Sequence, residues 1–140
     1  IIIIRLLLMY FVPFIDPTEP RYAEIARIMY ETGDWITPYY NYNTPFWGKP
    51  PLSFWMQAFS VKILGNNEFS LRMPSLVVTL ISALLVFRAT KLINTDKQDS
   101  AYLATLIFLS TPIVFVNSGA VLTDPFLMLG TTLSMVSIIH

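Results

Sequence analysis

Residues 1–27 read IIIIRLLLMYFVPFIDPTEPRYAEIAR, an apolar run that ends abruptly in a charged segment. The first fifteen residues carry one charge, Arg5, whereas residues 16–27 carry three acids and two arginines. An apolar run of this kind predicts a membrane-spanning helix. Fifteen residues of helix cover about 22 Å, less than the roughly 30 Å of a hydrocarbon core. We therefore expect residues 1–15 to be a first span whose beginning lies outside this sequence.

The composition of the whole chain also points to a membrane protein. Its 140 residues are 54% hydrophobic and 13% charged, whereas charged residues make up about 25% of a soluble domain. The formal net charge is zero, so no basic surface is expected to bind nucleic acid. Cysteine is absent, which excludes a disulfide framework and a thiolate metal site.

Three further apolar segments, residues 73–93, 101–117 and 122–140, are predicted to span the membrane, with Pro112 breaking the second of them. The sequence therefore predicts an all-α, multi-spanning helical membrane protein. Because the sequence ends inside this apolar run with no stop signal, we expect residues 1–140 to be the N-terminal part of a longer transmembrane domain.

Residues 16–70 differ from the predicted spans, because charges and prolines are spread through them. Two short helices are predicted here, at about 19–32 and 51–64, each with one apolar face. These faces comprise Tyr22, Ile25, Ala26, Met29 and Tyr30, and then Leu52, Trp55, Met56, Phe59 and Ile63. Amphipathic helices this rich in aromatic residues are expected to lie parallel to the membrane. The aromatic link at 34–50 is typical of a plain surface loop or of a surface that binds sugars or lipid headgroups.

The turn at 88–99 carries Arg88, Lys91 and Lys97, which places it in the cytoplasm by the positive-inside rule. The long loop and the turn before the last segment then share the outer face. This topology brings five charged residues to one side of the membrane: Asp16, Glu19, Lys49, Arg72 and Asp124.

Three acids of this group are candidates for chemistry. Acids near a helix N-terminus are stabilised by about 0.3–1 kcal/mol, and Asp16 and Glu19 fit that structural role. A carboxylate half-buried at the membrane boundary would instead have a raised pKa and could act as a general base. Asp124 precedes Pro125, the pair expected at a helix start, so it is either a capping residue or an acid of the site.

The cations allow two readings as well. Lys49 lies between Gly48 and Pro50, so a rigid turn presents its ammonium either to lipid headgroups or to a phosphate. Arg72 is equally consistent with an interfacial anchor and with a phosphate ligand. We assign no role to His140.

Five ordered motifs carry a resemblance to a known family. They are DPTEPRYAEIARIM, GDWITP, KPPLSFW, NEFSLRMPS and SGAVLTDP. In order and spacing they resemble the N-terminal part of bacterial polyprenyl-phosphate-sugar glycosyltransferases. These belong to the GT-C superfamily and are related to aminoarabinose transferases and protein O-mannosyltransferases. The resemblance implies an inner-membrane protein whose first periplasmic loop holds two membrane-parallel helices.

The resemblance also implies an activity, the transfer of a sugar from a polyprenyl-phosphate donor to lipid A, a glycan or a protein on the periplasmic face. The expected partners are that donor, membrane lipid and the acceptor. The acids Asp16 and Glu19 correspond to the catalytic motif. Lys49, with Arg72 and Arg21, would bind the donor phosphate. Asp124 would be a supporting acid or would help to hold a divalent metal ion.

Two departures from the family pattern bear on this prediction. Thr18 stands where many members have an aspartate, which leaves the base open between Asp16 and Glu19. Gly48 stands where aminoarabinose transferases tend to have an acid, which favours a more general sugar transferase over a lipid A enzyme. The alternatives are a non-catalytic relative and a transporter or flippase segment. The charges lie at the ends of the spans rather than in their middles, which favours the enzyme.

Overall fold

The computed structural model describes residues 1–14, 17–93 and 98–139. Asp16 and His140 therefore lie outside the described residues. Within these ranges the chain forms seven helices and one two-stranded hairpin. In chain order they are α1 (Ile2–Phe11), α2 (Thr18–Thr32), β1 (Tyr39–Asn41), β2 (Thr44–Pro45), α3 (Leu52–Leu64), α4 (Glu68–Ile93), α5 (Gln98–Ser110), α6 (Pro112–Asn117) and α7 (Asp124–Ile139).

The main hydrophobic core forms where α2 packs against α3. The ring of Phe54 lies edge-on to those of Tyr22 and Phe46, with centroids 5.6 and 6.1 Å apart. Both helices end at glycines with positive φ, Gly33 at 71° and Gly65 at 86°. These conformations turn the chain sharply and are unfavourable for other residues.

Of the two predicted apolar faces, one is buried and the other is exposed. In α2 the face is buried in the core, except for Tyr30. In α3 the predicted face, from Leu52 to Ile63, is exposed along its whole length. The buried side of α3 instead combines small or polar residues with apolar ones: Ser53, Phe54, Gln57, Ala58, Ser60 and Val61.

The hairpin was not predicted, and it is a short addition to a structure that is mostly helical. Strand β1 pairs antiparallel with β2, and the Phe46 N–H donates to the Pro38 carbonyl at 2.8 Å. Upstream, Asp34 Oδ1 accepts the N–H groups of Ile36 and Thr37 at 3.0 and 3.1 Å. These bonds lower the pKa of Asp34 below its usual 3.8. The strands have three and two residues, too few to show the alternation of polar and apolar residues by which a strand is predicted. Their pairing depends instead on these local turns.

Helix α4 begins at Glu68, five residues before the predicted start at 73, and Pro74 lies inside it. Proline cannot donate a backbone hydrogen bond, so the carbonyl four residues earlier would lose its partner. That carbonyl belongs to Ser70, and the hydroxyl of Ser60 donates to it at 2.6 Å. Helix α3 therefore compensates for the proline. Among the described residues, α4 is the one helix both long enough and apolar enough to cross a membrane.

The remaining helices pack around α4, which contacts α1, α3, α5 and α7. The segment predicted at 101–117 is divided into α5 and α6, because Thr111 is extended and Pro112 opens the second helix. The link between α6 and α7 is fixed to α4 by the Ser75 hydroxyl, which donates to the Ala120 carbonyl at 2.7 Å. This link, residues 118–123, passes both groups of charged residues described below.

Candidate functional site

A buried ion pair joins α2 to α4. Glu19 and Arg72 are 5% and 3% exposed. Arg72 Nε and Nη2 lie 3.3 Å from the two carboxylate oxygens of Glu19. The sequence analysis placed both residues on the same side of the membrane, and the structure brings them into contact.

The other N–H groups of Arg72 bind the C-terminal end of α1. Nη1 donates to the carbonyls of Met9 and Val12 at 3.2 and 2.5 Å, and Nη2 donates to that of Pro13 at 3.2 Å. The last carbonyls of a helix have no partner within it, and the guanidinium supplies one. All five N–H groups of Arg72 are thereby used, which leaves none for the phosphate that Arg72 was predicted to bind.

The carboxylate of Glu19 is equally occupied. In addition to the bonds from Arg72, its Oε1 accepts the backbone N–H of Val121 at 3.0 Å. Glu19 therefore holds the link between α6 and α7 against α2. Arg72 thus binds a residue on each side of position 16: Pro13, three residues before it, and Glu19, three residues after it. These contacts favour a structural role for Glu19 over that of a proton acceptor.

A cavity of about 640 Å³ lies beside this ion pair and is lined by Glu19, Arg72 and Arg5, among others. The Arg5 guanidinium donates to the Val116 carbonyl. It also lies over Gly119, where a Cβ atom would overlap it. Its Nε is buried without a partner among the described residues. The sequence analysis gave Arg5 no role, although a cation inside an apolar run is itself a signal of function.

Lys49 and Asp124 meet in a second, smaller cleft of about 260 Å³. It lies between the start of α3 and the start of α7, and its walls are largely apolar. The lining comprises Lys49, Pro50, Leu52, Ser53, Thr123, Asp124, Phe126 and Leu127. Both charged residues are exposed. In the part of the chain that the structure describes, neither of them forms an ion pair.

Two buried polar side chains of α3 were also missed by the sequence analysis. Ser53 lines the cleft, is 2% exposed, and has a hydroxyl without a hydrogen-bond partner among the described residues. Gln57 lies one turn further along and is 0% exposed, and neither its amide nitrogen nor its amide oxygen has a partner in the part of the chain that the structure describes. Their spacing of four residues within an apolar helix places them on one face, and this was the signal available in the sequence.

Arg21 lies apart from both groups. It is exposed, and its guanidinium carbon is 5.7 Å from the centroid of the Tyr40 ring in the hairpin. Residues 1–14, 17–93 and 98–139 contain no cluster of three or more Asp, Glu or His side chains that could hold a metal ion. Among the described residues, Asp124 is the one carboxylate that lines the cleft. The donor set of the cleft therefore does not fit the predicted divalent metal.

Five charged residues were predicted to converge on one side of the membrane. One of them, Asp16, lies outside the described residues, and the structure places the other four in two separate groups. Glu19 and Arg72 form the buried pair, whereas Lys49 and Asp124 share the open cleft. The groups are connected by one short link, since Val121 binds Glu19 and Asp124 follows three residues later.

Comparisons with known proteins agree with the resemblance seen in the sequence. The chain is 38% identical over 122 residues to the undecaprenyl phosphate-alpha-4-amino-4-deoxy-L-arabinose arabinosyl transferase of Yersinia pestis. The alignment covers 87% of this chain and 22% of that protein. A second arabinosyl transferase of this name, from Proteus mirabilis, is 37% identical over 121 residues, 86% of this chain and 22% of its own length. The chain thus spans about 22% of the length of these relatives.

No solved structure matches the chain. A family model described as dolichyl-phosphate-mannose-protein mannosyltransferase matches residues 9–140. Because this match covers almost the whole chain, the chain belongs to the dolichyl-phosphate-mannose-protein mannosyltransferase family.

Proposed function

We propose that the protein containing this chain is a membrane glycosyltransferase that moves a sugar from a polyprenyl-phosphate donor to an acceptor on the periplasmic face. The observation that carries the proposal is the 38% identity to transferases whose name specifies an undecaprenyl-phosphate sugar donor. The cleft supports it, because Lys49 lies there exposed, with no ion pair to a described residue, and shares the cleft with the carboxylate of Asp124.

The proposed reaction is a direct displacement at the anomeric carbon. The acceptor oxygen forms a bond to that carbon while the bond from the carbon to the phosphate oxygen breaks. The phosphate leaves with the electron pair, and the proton of the acceptor passes to a carboxylate. Such a displacement inverts the anomeric centre. Lys49 is proposed to neutralise the charge that develops on the departing phosphate.

We assign the general base to Asp16 rather than to Glu19. Both oxygens of Glu19 already accept hydrogen bonds from Arg72, and one also accepts from Val121. Asp124 is proposed to accept a hydrogen bond from a sugar hydroxyl or amino group in the cleft. No step is assigned to a metal ion.

The proposed topology has four membrane segments: α1, α4, α5 with α6, and α7. The length of α4 supports it, as do the exposed apolar side chains along α5 and α7, such as Leu106 and Leu127. The exposed apolar face of α3 is proposed to lie in the headgroup region, which accounts for large side chains facing away from the core. This chain has no cysteine, so once any cysteines elsewhere in the full-length protein are replaced, Trp47→Cys and Lys91→Cys can each be labelled as a single cysteine in intact cells. A membrane-impermeant maleimide should label only the first.

Transfer is tested with the purified full-length protein in lipid nanodiscs. The donors are undecaprenyl-phosphate aminoarabinose and an undecaprenyl-phosphate hexose, each offered with lipid A, and the measurement is the release of undecaprenyl phosphate. We expect release that depends on an acceptor and is abolished by Asp16→Asn. Release at the wild-type rate from Asp16→Asn would remove the assigned base. Movement of the donor across the bilayer of sealed proteoliposomes, without any release, would support the transporter alternative instead.

A further inference from the structure

The N-terminus of α3 has no side-chain cap. The helix begins at Leu52 after two prolines, which have no N–H groups, and its N-cap residue, Pro51, offers no side-chain hydrogen bond. The Trp55 N–H donates to the Pro51 carbonyl at 3.0 Å, whereas the N–H groups of the preceding turn have no acceptor within the helix. The start of α3 therefore presents backbone donors at the cleft.

The Ser53 hydroxyl adds a side-chain donor at the same point. It lines the cleft, is shielded from solvent, and has no partner in the described part of the chain. Buried polar groups in proteins are almost always hydrogen-bonded, so an unpaired one needs an explanation. A ligand oxygen in the cleft would provide the missing acceptor.

The charges around the cleft favour an anion. Helix α7 also starts at the cleft, so the positive ends of two helix dipoles meet there. Lys49 adds a full positive charge, and Asp124 is the one negative group among the described residues of the lining. An anion that is bonded to a sugar can place its oxygens against α3 and Lys49 while a sugar hydroxyl or amino group donates to Asp124.

We propose that Ser53 and the first-turn N–H groups of α3 form a phosphate-binding subsite together with Lys49. This inference rests on the proposed function, because the phosphate is taken to be that of the polyprenyl-phosphate donor. Phosphate fits because its oxygens can accept several hydrogen bonds at once, whereas the α3 groups and Lys49 act as donors. Ser53 is then a further substrate-binding residue of the reaction.

The test uses two serines of the same helix in the full-length protein. Ser53→Ala removes a hydroxyl that has no partner, so the melting temperature without donor should be unchanged or higher. It should raise the KM for the donor about tenfold, a loss typical of a hydrogen bond to a charged group. Ser60→Ala is the control, because the Ser60 hydroxyl bonds the Ser70 carbonyl. It should lower the melting temperature and leave the KM unchanged.

Two results would overturn the subsite. One is an unchanged donor KM in Ser53→Ala while the wild-type protein transfers sugar. The other is a raised KM accompanied by a lower melting temperature, which would show a structural role. If the wild-type protein releases no undecaprenyl phosphate from any donor, the proposed function itself fails, and this outcome is distinct from the other two.

A second measurement identifies the source of the phosphate. In phosphatidylcholine nanodiscs, undecaprenyl phosphate should raise the melting temperature of the wild-type protein more than that of Ser53→Ala. Phosphatidylglycerol without undecaprenyl phosphate should not reproduce this difference. If it does, the subsite binds lipid headgroups, and its assignment to the donor is wrong.

Discussion

The buried pair and the open cleft each combine an acid with a cation from distant parts of the chain, yet they differ in solvent exposure and in how many of their polar groups are already bonded. Glu19 and Arg72 are almost fully buried, and every N–H group of the arginine is used. Lys49 and Asp124 are exposed in a cleft and form no ion pair within the described residues.

This difference separates structural charges from charges that are available to a ligand. A charge can be buried only if it is paired and hydrogen-bonded, because the cost of leaving water is large. Such a charge is fixed in place and holds elements together. A solvent-exposed charge carries no such requirement and can exchange its water for a substrate. The two groups are three residues apart at Val121 and Asp124, so the buried pair also determines where one wall of the cleft lies.

The largest effect is expected from Arg72→Met. This change leaves Glu19 charged and buried without its partner, and it also leaves the carbonyls at the end of α1 unpaired. Breaking one partner of a buried pair costs about 3–5 kcal/mol. We expect a large fall in melting temperature, measured by fluorescence-detected unfolding in detergent. Arg21→Met is the matched control and should change the stability by less than about 0.5 kcal/mol, because Arg21 is exposed.

A double variant makes this test more specific. Glu19→Gln combined with Arg72→Met removes the unpaired charge, so it should be more stable than Arg72→Met alone. The carbonyls of α1 still lack a donor in the double variant, so wild-type stability should not return. If Arg72→Met is as stable as Arg21→Met, the pair does not hold the fold together.

The opposite behaviour is expected from Lys49→Met. The side chain is exposed and forms no ion pair with a described residue, so the stability should change by less than about 0.5 kcal/mol. Loss of a charge that stabilises the departing phosphate should lower kcat/KM by about 10²-fold. Undecaprenyl phosphate release and unfolding are measured on the same preparation. An active Lys49→Met variant would place the phosphate elsewhere.

Asp124→Asn tests whether the acid acts through its charge. Asparagine is about as good a helix cap as aspartate, so a purely capping role would survive the change. Asp124 lies in the first turn of α7, and the lost charge there should cost less than about 1 kcal/mol. If the carboxylate holds the sugar, kcat/KM should fall roughly tenfold, within the range for one hydrogen bond to a charged group. Wild-type kinetics in Asp124→Asn would assign the residue to the helix start alone.

Local features of the fold were predictable from the sequence, whereas long-range pairings were not. The range 19–32 and the helix Thr18–Thr32 differ by one residue, because periodicity and a terminal glycine define a helix locally. The periodicity of the sequence also identified an apolar face of α3. Periodicity alone does not show whether such a face packs against the core, and in the structure this one is exposed.

Two features that the sequence did not predict depend on contacts between residues that are distant in sequence: the continuation of α4 through Pro74 and the pairing of charges in the site. Pro74 lies inside α4, and the carbonyl of Ser70 that it leaves without a helix partner accepts a hydrogen bond from Ser60 on another helix. Glu19 and Arg72 are 53 residues apart, and no pattern in the sequence shows that one satisfies the other. Sequence reasoning therefore identified which charges matter but could not separate those that hold the fold from those that remain open to a ligand.

The smallest effect is expected for charges that are paired but exposed. Arg27 binds Glu24 at 2.6 Å and also Glu31, and the Tyr42 hydroxyl of the hairpin donates to Glu31 at 2.7 Å. The hydrogen bond from Arg27 lowers the pKa of Glu24 below its usual 4.5. Because the folded pKa is below the unfolded one, the stabilisation is fully present above about pH 4.5 and is lost as the pH falls through the folded pKa.

Glu24→Gln should therefore lower the stability at pH 7 by only about 0.2–0.5 kcal/mol, since the side chain of Glu24 is 41% exposed and solvent screens the pair. The difference from wild type should be smaller at pH 3 than at pH 7, and it should also shrink in high salt. Urea unfolding of the detergent-solubilised protein at the two pH values measures both. A loss above about 1 kcal/mol that persists at pH 3 would mean that Glu24 acts through packing rather than charge. Exposed pairs would then have to be counted, with Glu19 and Arg72, among the contacts that hold the fold.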